Sequence, residues 1–69
     1  MNDNIKRRAS EFILLGIKPL YALHLASAEE AEADYFCTCD DRFLKRAKTF
    51  NDLRTKVVTP LELIEELNI

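Results

Sequence analysis

Asp40 and Asp41 follow the short run Tyr35-Phe36-Cys37-Thr38, with Cys39 between. A carboxylate at the C-terminal end of a strand and the N-terminus of a helix lies in the usual ligand zone of open α/β sheets. Hard divalent cations prefer such oxygen ligands. One carboxylate does not make a metal site, so the simpler role of Asp40 is to cap the helix that follows it. Thr38, two residues earlier, reads as a strand residue that hydrogen-bonds locally. Cys37 and Cys39, with His24, offer three soft ligands per chain, or four thiolates in a dimer. Zinc sites pair Cys and His at recognised spacings, and this is not one of them. Buried thiols acting as small hydrophobes are the expectation. His24 beside a thiol invites a nucleophilic reading, but no motif supplies a residue to orient it. A core or half-buried structural His24 is expected instead. Two basic clusters, Lys6-Arg7-Arg8 and the set Arg42, Lys45, Arg46 and Lys48, could touch phosphates. Arg42, Lys45 and Arg46 share one helix side, and the plain reading is a solvated face balanced by acids.

Six elements must position these groups. Ile5, Ala9, Phe12 and Ile13 recur at helical spacing, with Asp3 or Asn4 as cap and Gly16 as the stop. Pro19 opens a second helix, which the pattern runs to about Ala33, with Leu20, Leu23, Ser27 and Ala31 on one face. Glu29, Glu30 and Glu32 near its end read as a solvated acidic terminus. Tyr35 to Thr38 reads as a strand. Asp40 caps a third helix through about Lys48, whose acids at the start and bases at the end suit the helix dipole. Val57-Val58 is a second strand. Thr59-Pro60-Leu61-Glu62 is a capping box that opens a fourth helix carrying Leu61, Ile64 and Leu67. The fold class is therefore α/β, in the order helix, helix, strand, helix, strand, helix. Strand, helix, strand implies a right-handed crossover and parallel pairing. A parallel sheet of two strands leaves unpaired edges, and a second copy of the chain is the simplest way to complete it.

Length and composition agree with a single small domain. The chain has 69 residues, 48% hydrophobic and 32% charged, which suits a water-soluble globule. A domain of this size buries only about 60% of its unfolded surface and gains from oligomerisation. The net charge of -2 argues against a stand-alone nucleic-acid binder, which would show a basic excess. No apolar run reaches the roughly 18 residues of a membrane span, and the N-terminus has no apolar signal region. No membrane partner and a cytoplasmic location are expected.

Four stretches, taken in order, carry a resemblance. They are Gly16-Ile17-Lys18-Pro19-Leu20-Tyr21-Ala22-Leu23-His24-Leu25-Ala26-Ser27-Ala28, the Thr38-x-Asp40 strand end, the Arg42-Phe43-Leu44 helix start, and Val57-Val58-Thr59-Pro60-Leu61-Glu62-Leu63. Over about residues 5 to 67 the chain resembles the C-terminal half of a PIN domain, a metal-dependent ribonuclease fold. Such nucleases gather three or four carboxylates around Mg²⁺ or Mn²⁺, where the metal lowers the pKa of a bound water and screens charge on the phosphate. The resemblance implies that the first two acids belong to a front half for which this chain has no segment. The third acid position is Tyr21, a phenol and a poor ligand. Asp40 alone keeps its matching place, with Thr38 as the usual hydroxyl and Asp41 as an extra neighbour.

The expectation is thus a truncated, PIN-like, nuclease-like remnant without catalysis of its own, with Asp40 and Thr38 as vestiges. It would act as a self-associating or partner-binding module, with Tyr35, Phe36 and Cys37 at the interface of a homodimer. No cofactor is expected, and Mg²⁺ or Mn²⁺ only if another chain completes the site. The alternative is the C-terminal piece of a split Mg²⁺-dependent ribonuclease, completed by a complementing fragment. As the toxin of a toxin–antitoxin pair, the chain would also hold an antitoxin-like peptide. Any RNA contact would fall to Arg42, Lys45 and Arg46.

Overall fold

Asn2 still has extended backbone, and its side chain accepts from the Ile5 amide at 2.8 Å. It therefore caps α1 (Asp3–Leu14) in place of the expected Asp3 or Asn4, which are already helical. The computed structural model describes residues 2–68. Gly16 follows α1 with φ +102°, the conformation that favours glycine. Pro19 is the first residue of α2 (Pro19–Glu30). That helix stops before the expected Ala33 because Glu32 turns to φ +58°. The Glu32 and Ala33 amides then donate back to Glu29 and Ala28 at 3.0 Å, a left-handed helix stop. β1 (Tyr35–Cys37), α3 (Asp41–Ala47), β2 (Lys56–Val58) and α4 (Pro60–Leu67) follow in the expected order. The predicted capping box is present, with Thr59 and Glu62 satisfying each other's amides.

The two strands pair in parallel, with Phe36 opposite Val57 and Cys37 opposite Val58. Alternation along the strands sends residues to two faces. Phe36 and Val57 join the main core, together with Phe12, Leu25, Phe43 and the alanines 9, 22, 26 and 47. Lys56 points to the other face, where its ammonium pairs with Glu66 of α4. Val58, also on that side, is buried beneath the same layer. The result is a small sheet with α2 and α3 against one face and α4 against the other, and with α1 packed on α2. Among the described residues, no helix is long and apolar enough to cross a membrane.

Two packing expectations change. The buried face of α2 is Ala22, Leu25, Ala26 and Glu29, not Leu20, Leu23, Ser27 and Ala31. α2 is apolar almost all round, so periodicity alone does not select a face. The alanines let α1 approach closely, and Leu20 is left 62% exposed. Ile13, read as part of the α1 core face, is also exposed. Leu61, Ile64 and Leu67 of α4 remain on the surface as well, because α4 covers a sheet only two strands wide.

Candidate functional site

The strand end and the α2 face meet around Asp40. β1 stops at Cys37, one residue before the expected Thr38, although the Thr38 amide still donates to the Val58 carbonyl at 2.9 Å. The Thr38 hydroxyl accepts from the Asp40 amide at 3.1 Å, the local hydrogen bond expected of it. Asp40 is extended and accepts from the Phe43 amide at 3.0 Å, so it is the N-cap of α3 as read from the sequence. The phenol of Tyr21 lies across from this carboxylate, its ring stacked on Phe43 with centroids 5.0 Å apart. Phe43 in turn meets Phe36 edge-on at 5.4 Å. One aromatic cluster thus sets the floor under the Tyr21–Asp40 pair. The Phe36 side chain is spent inside that cluster, and its backbone lies on the ladder with β2.

The Phe43 amide and the Tyr21 hydroxyl hold Asp40 below the ordinary carboxylate range, with the Lys18 charge adding to the effect. The same pairing with Asp40 raises Tyr21 above the ordinary phenol value. Tyr21 is therefore a neutral phenol at pH 7. Asp41 is exposed in the first turn of α3. Among the described residues no group of three or more His, Cys, Asp or Glu side chains is placed to hold a metal ion. One carboxylate, one phenol and one hydroxyl stand together here.

The sign of the Tyr21 shift gives a test. A phenol whose folded pKa is raised favours folding below its unfolded pKa, and that contribution is lost as pH rises through the folded value. In a Tyr35→Phe background, ultraviolet titration should show Tyr21 ionising above the normal phenol range, near 10. Asp40→Asn should bring it back down. An unchanged midpoint in Asp40→Asn would mean that the two groups do not interact.

Three further groups stand elsewhere. His24 is exposed rather than a core residue. Cys37 and Cys39 are both exposed free thiols rather than buried hydrophobes. β1 ends at Cys37, and Cys39 falls in the turn before α3. Arg42, Lys45 and Arg46 do share one side of α3, and the fold adds Lys18 and Gly16 to them in one cleft.

The sequence reading missed one constellation. Glu29, read as part of a solvated acidic end, is 1% exposed. One of its carboxylate oxygens accepts from Arg8 Nε at 2.8 Å and the other from the Arg54 amide at 2.9 Å. The Arg8 guanidinium also reaches Asp52 at 3.3 Å and lies over the Phe12 ring at 4.4 Å. Its partnership with Glu29 holds it more firmly protonated than an ordinary arginine. The Thr55 hydroxyl, also buried, donates to the Ala33 carbonyl at 2.8 Å. These contacts fasten the α3–β2 loop to α1 and α2, and so present Lys56 to β1. The signal was spacing: Arg8 is four residues before Phe12, and Glu29 is four after Leu25. Comparison with protein-family models, with curated proteins and with solved structures finds no match for this chain.

Proposed function

We propose that this chain is a non-catalytic, self-associating module, a PIN-like remnant that works by adding the free edge of β1 to the same edge of a second copy. One observation carries this reading. The Phe36, Thr38, Lys56 and Val58 amides lie on the ladder between the strands, so the alternate amides of Tyr35 and Cys37 face outward. Among the described residues neither has a backbone partner. An unpaired, parallel, two-stranded edge is a template for another strand. A two-fold axis would place β1 against β1, so that each copy satisfies the other. Leu14, Leu20 and Leu61, all more than half exposed, supply apolar surface in keeping with a chain that is not solitary. Tyr21 facing Asp40 in place of a second acid supports the non-catalytic part of the reading.

Cys37→Pro tests it. The substitution removes only an outward donor, so the pairing with Val58 through neighbouring amides survives. Light scattering at micromolar concentration should give a dimer mass for the parent chain and a monomer mass for Cys37→Pro, with unchanged circular dichroism. A monomeric parent chain would overturn the reading.

A second reading, a fragment of a split Mg²⁺-dependent ribonuclease, draws on Asp40 and Thr38 standing together beyond β1. It requires a separate polypeptide bringing a strand Asp and a helix Glu. Mg²⁺-dependent RNA cleavage would then arise only on mixing the two.

A further inference from the structure

Lys18, Arg42, Lys45 and Arg46 line one cleft of about 470 Å³, together with Gly16 and Thr49. Four cations and no carboxylate line it. Among the described residues none of the four makes an ion pair with an acid. Elsewhere three bases are paired with acids: Arg8 with Glu29 and Asp52, Lys48 with Glu62, Lys56 with Glu66. Arg7 and Arg54 line a different cleft, shared with Glu11, Glu30 and Asp52. Four of the ten bases of this acidic chain therefore meet in one cleft that no acid lines.

Gly16 lets Arg46 approach the backbone closely. A Cβ on Gly16 would come within 3.1 Å of Arg46 Nε and 3.2 Å of its Cζ. The guanidinium lies in the space that any side chain at position 16 would fill.

From this geometry we infer a site for a compact, multiply charged anion, a diphosphate group free or as part of a nucleotide. Like charges held this close repel one another, and an anion between them removes the repulsion. Two guanidinium forks match phosphate oxygens bidentately, and two ammonium groups add point charge. The volume falls in the range of small-molecule sites, about 300–1,000 Å³. An extended nucleic-acid backbone is the less fitting ligand. It needs a basic stripe to follow, and the adjoining Lys48 is already paired with Glu62.

Titration calorimetry of the full chain with inorganic pyrophosphate, at low ionic strength, tests the site. Saturable binding at a 1:1 ratio per chain is expected. Arg42→Gln and Lys45→Gln should each weaken it about tenfold, the loss of a charge-assisted contact. Both side chains are exposed, so the fold should survive, with circular dichroism as the check. Arg7→Gln removes the same charge from the other cleft and should change affinity less than about twofold if the site is local. ADP binding more tightly than pyrophosphate would assign the diphosphate to a nucleotide; equal affinities would assign it to the free anion. Three outcomes overturn the inference: no saturable binding, an Arg7→Gln loss equal to that of Arg42→Gln, or a single-stranded oligonucleotide outcompeting both diphosphates with affinity rising with length.

Discussion

Glu29→Ala is expected to lose most of the stability of this chain. The Glu29 side chain is fully buried, and its loss leaves the largely buried Arg8 guanidinium with only surface acids to face. The Arg54 amide loses its acceptor at the same time. Breaking a buried pair by removing one partner costs about 3–5 kcal/mol, because the remaining charge stays desolvated. A domain of 69 residues has only about 3–10 kcal/mol in total. Urea denaturation followed by circular dichroism should therefore show Glu29→Ala partly unfolded in buffer. Hydrogen exchange should show the damage first in the α3–β2 loop and β2, the segment that Glu29 fastens. Replacing both members, Arg8→Met with Glu29→Met, should restore much of the loss, since no charge is then left unpaired. A Glu29→Ala midpoint within experimental error of the parent would mean that this ion pair is not structural.

Phe43→Ala should have the second-largest effect, and it reaches the candidate site. Phe43 is 5% exposed and touches both Tyr21 and Phe36 through its ring. Removing a buried phenylalanine costs about 3–5 kcal/mol, from lost transfer energy and the cavity left behind. Aromatic pairs add about 0.5–1.5 kcal/mol each beyond buried area, so the upper part of that range is expected. Phe43→Leu keeps most of the volume and should cost less. It should still free the Tyr21 ring and shrink the upward shift that Asp40 imposes on its phenol. Chemical denaturation reads the stability, and ultraviolet titration in the Tyr35→Phe background reads the phenol. A Phe43→Leu protein with an unaltered Tyr21 midpoint would show that the stack does not position the phenol.

Local chemistry explains which elements were legible. Pro19, the Thr59–Glu62 box, Asp40 before a helix and Gly16 after one each act within three or four residues of themselves. Their meaning does not depend on what packs nearby, and the structure has each in its expected role. The order of helices and strands follows from these signals, and parallel pairing follows from the order. The Asp40–Thr38 hydrogen bond was legible for the same reason, being a contact between residues two apart.

Side-chain burial was less legible, because it is settled between elements. α2 carries apolar residues all round, and only the approach of α1 selects the alanine side. His24 and both cysteines came out exposed because a two-stranded sheet and short helices cannot cover everything the sequence makes apolar or soft. Glu29 shows the reverse. As one acid in an acidic run it looks solvated, and only Arg8 from α1 and the Arg54 amide, 21 and 25 residues away, make its burial tolerable.

Taken alone, then, the amino-acid order determined the type and order of the six elements, the parallel sense of the sheet, and the capping role of Asp40, while α1 is capped by Asn2 and β2 begins at Lys56, one residue before the expected Val57. Tertiary structure decided that Glu29 is an anchor, that Tyr21 faces Asp40, and that Lys18 joins Arg42, Lys45 and Arg46 around one cleft. The reason is range. Caps and turns are closed by atoms a few residues apart, whereas charges meet across elements only after the core has fixed how those elements lie.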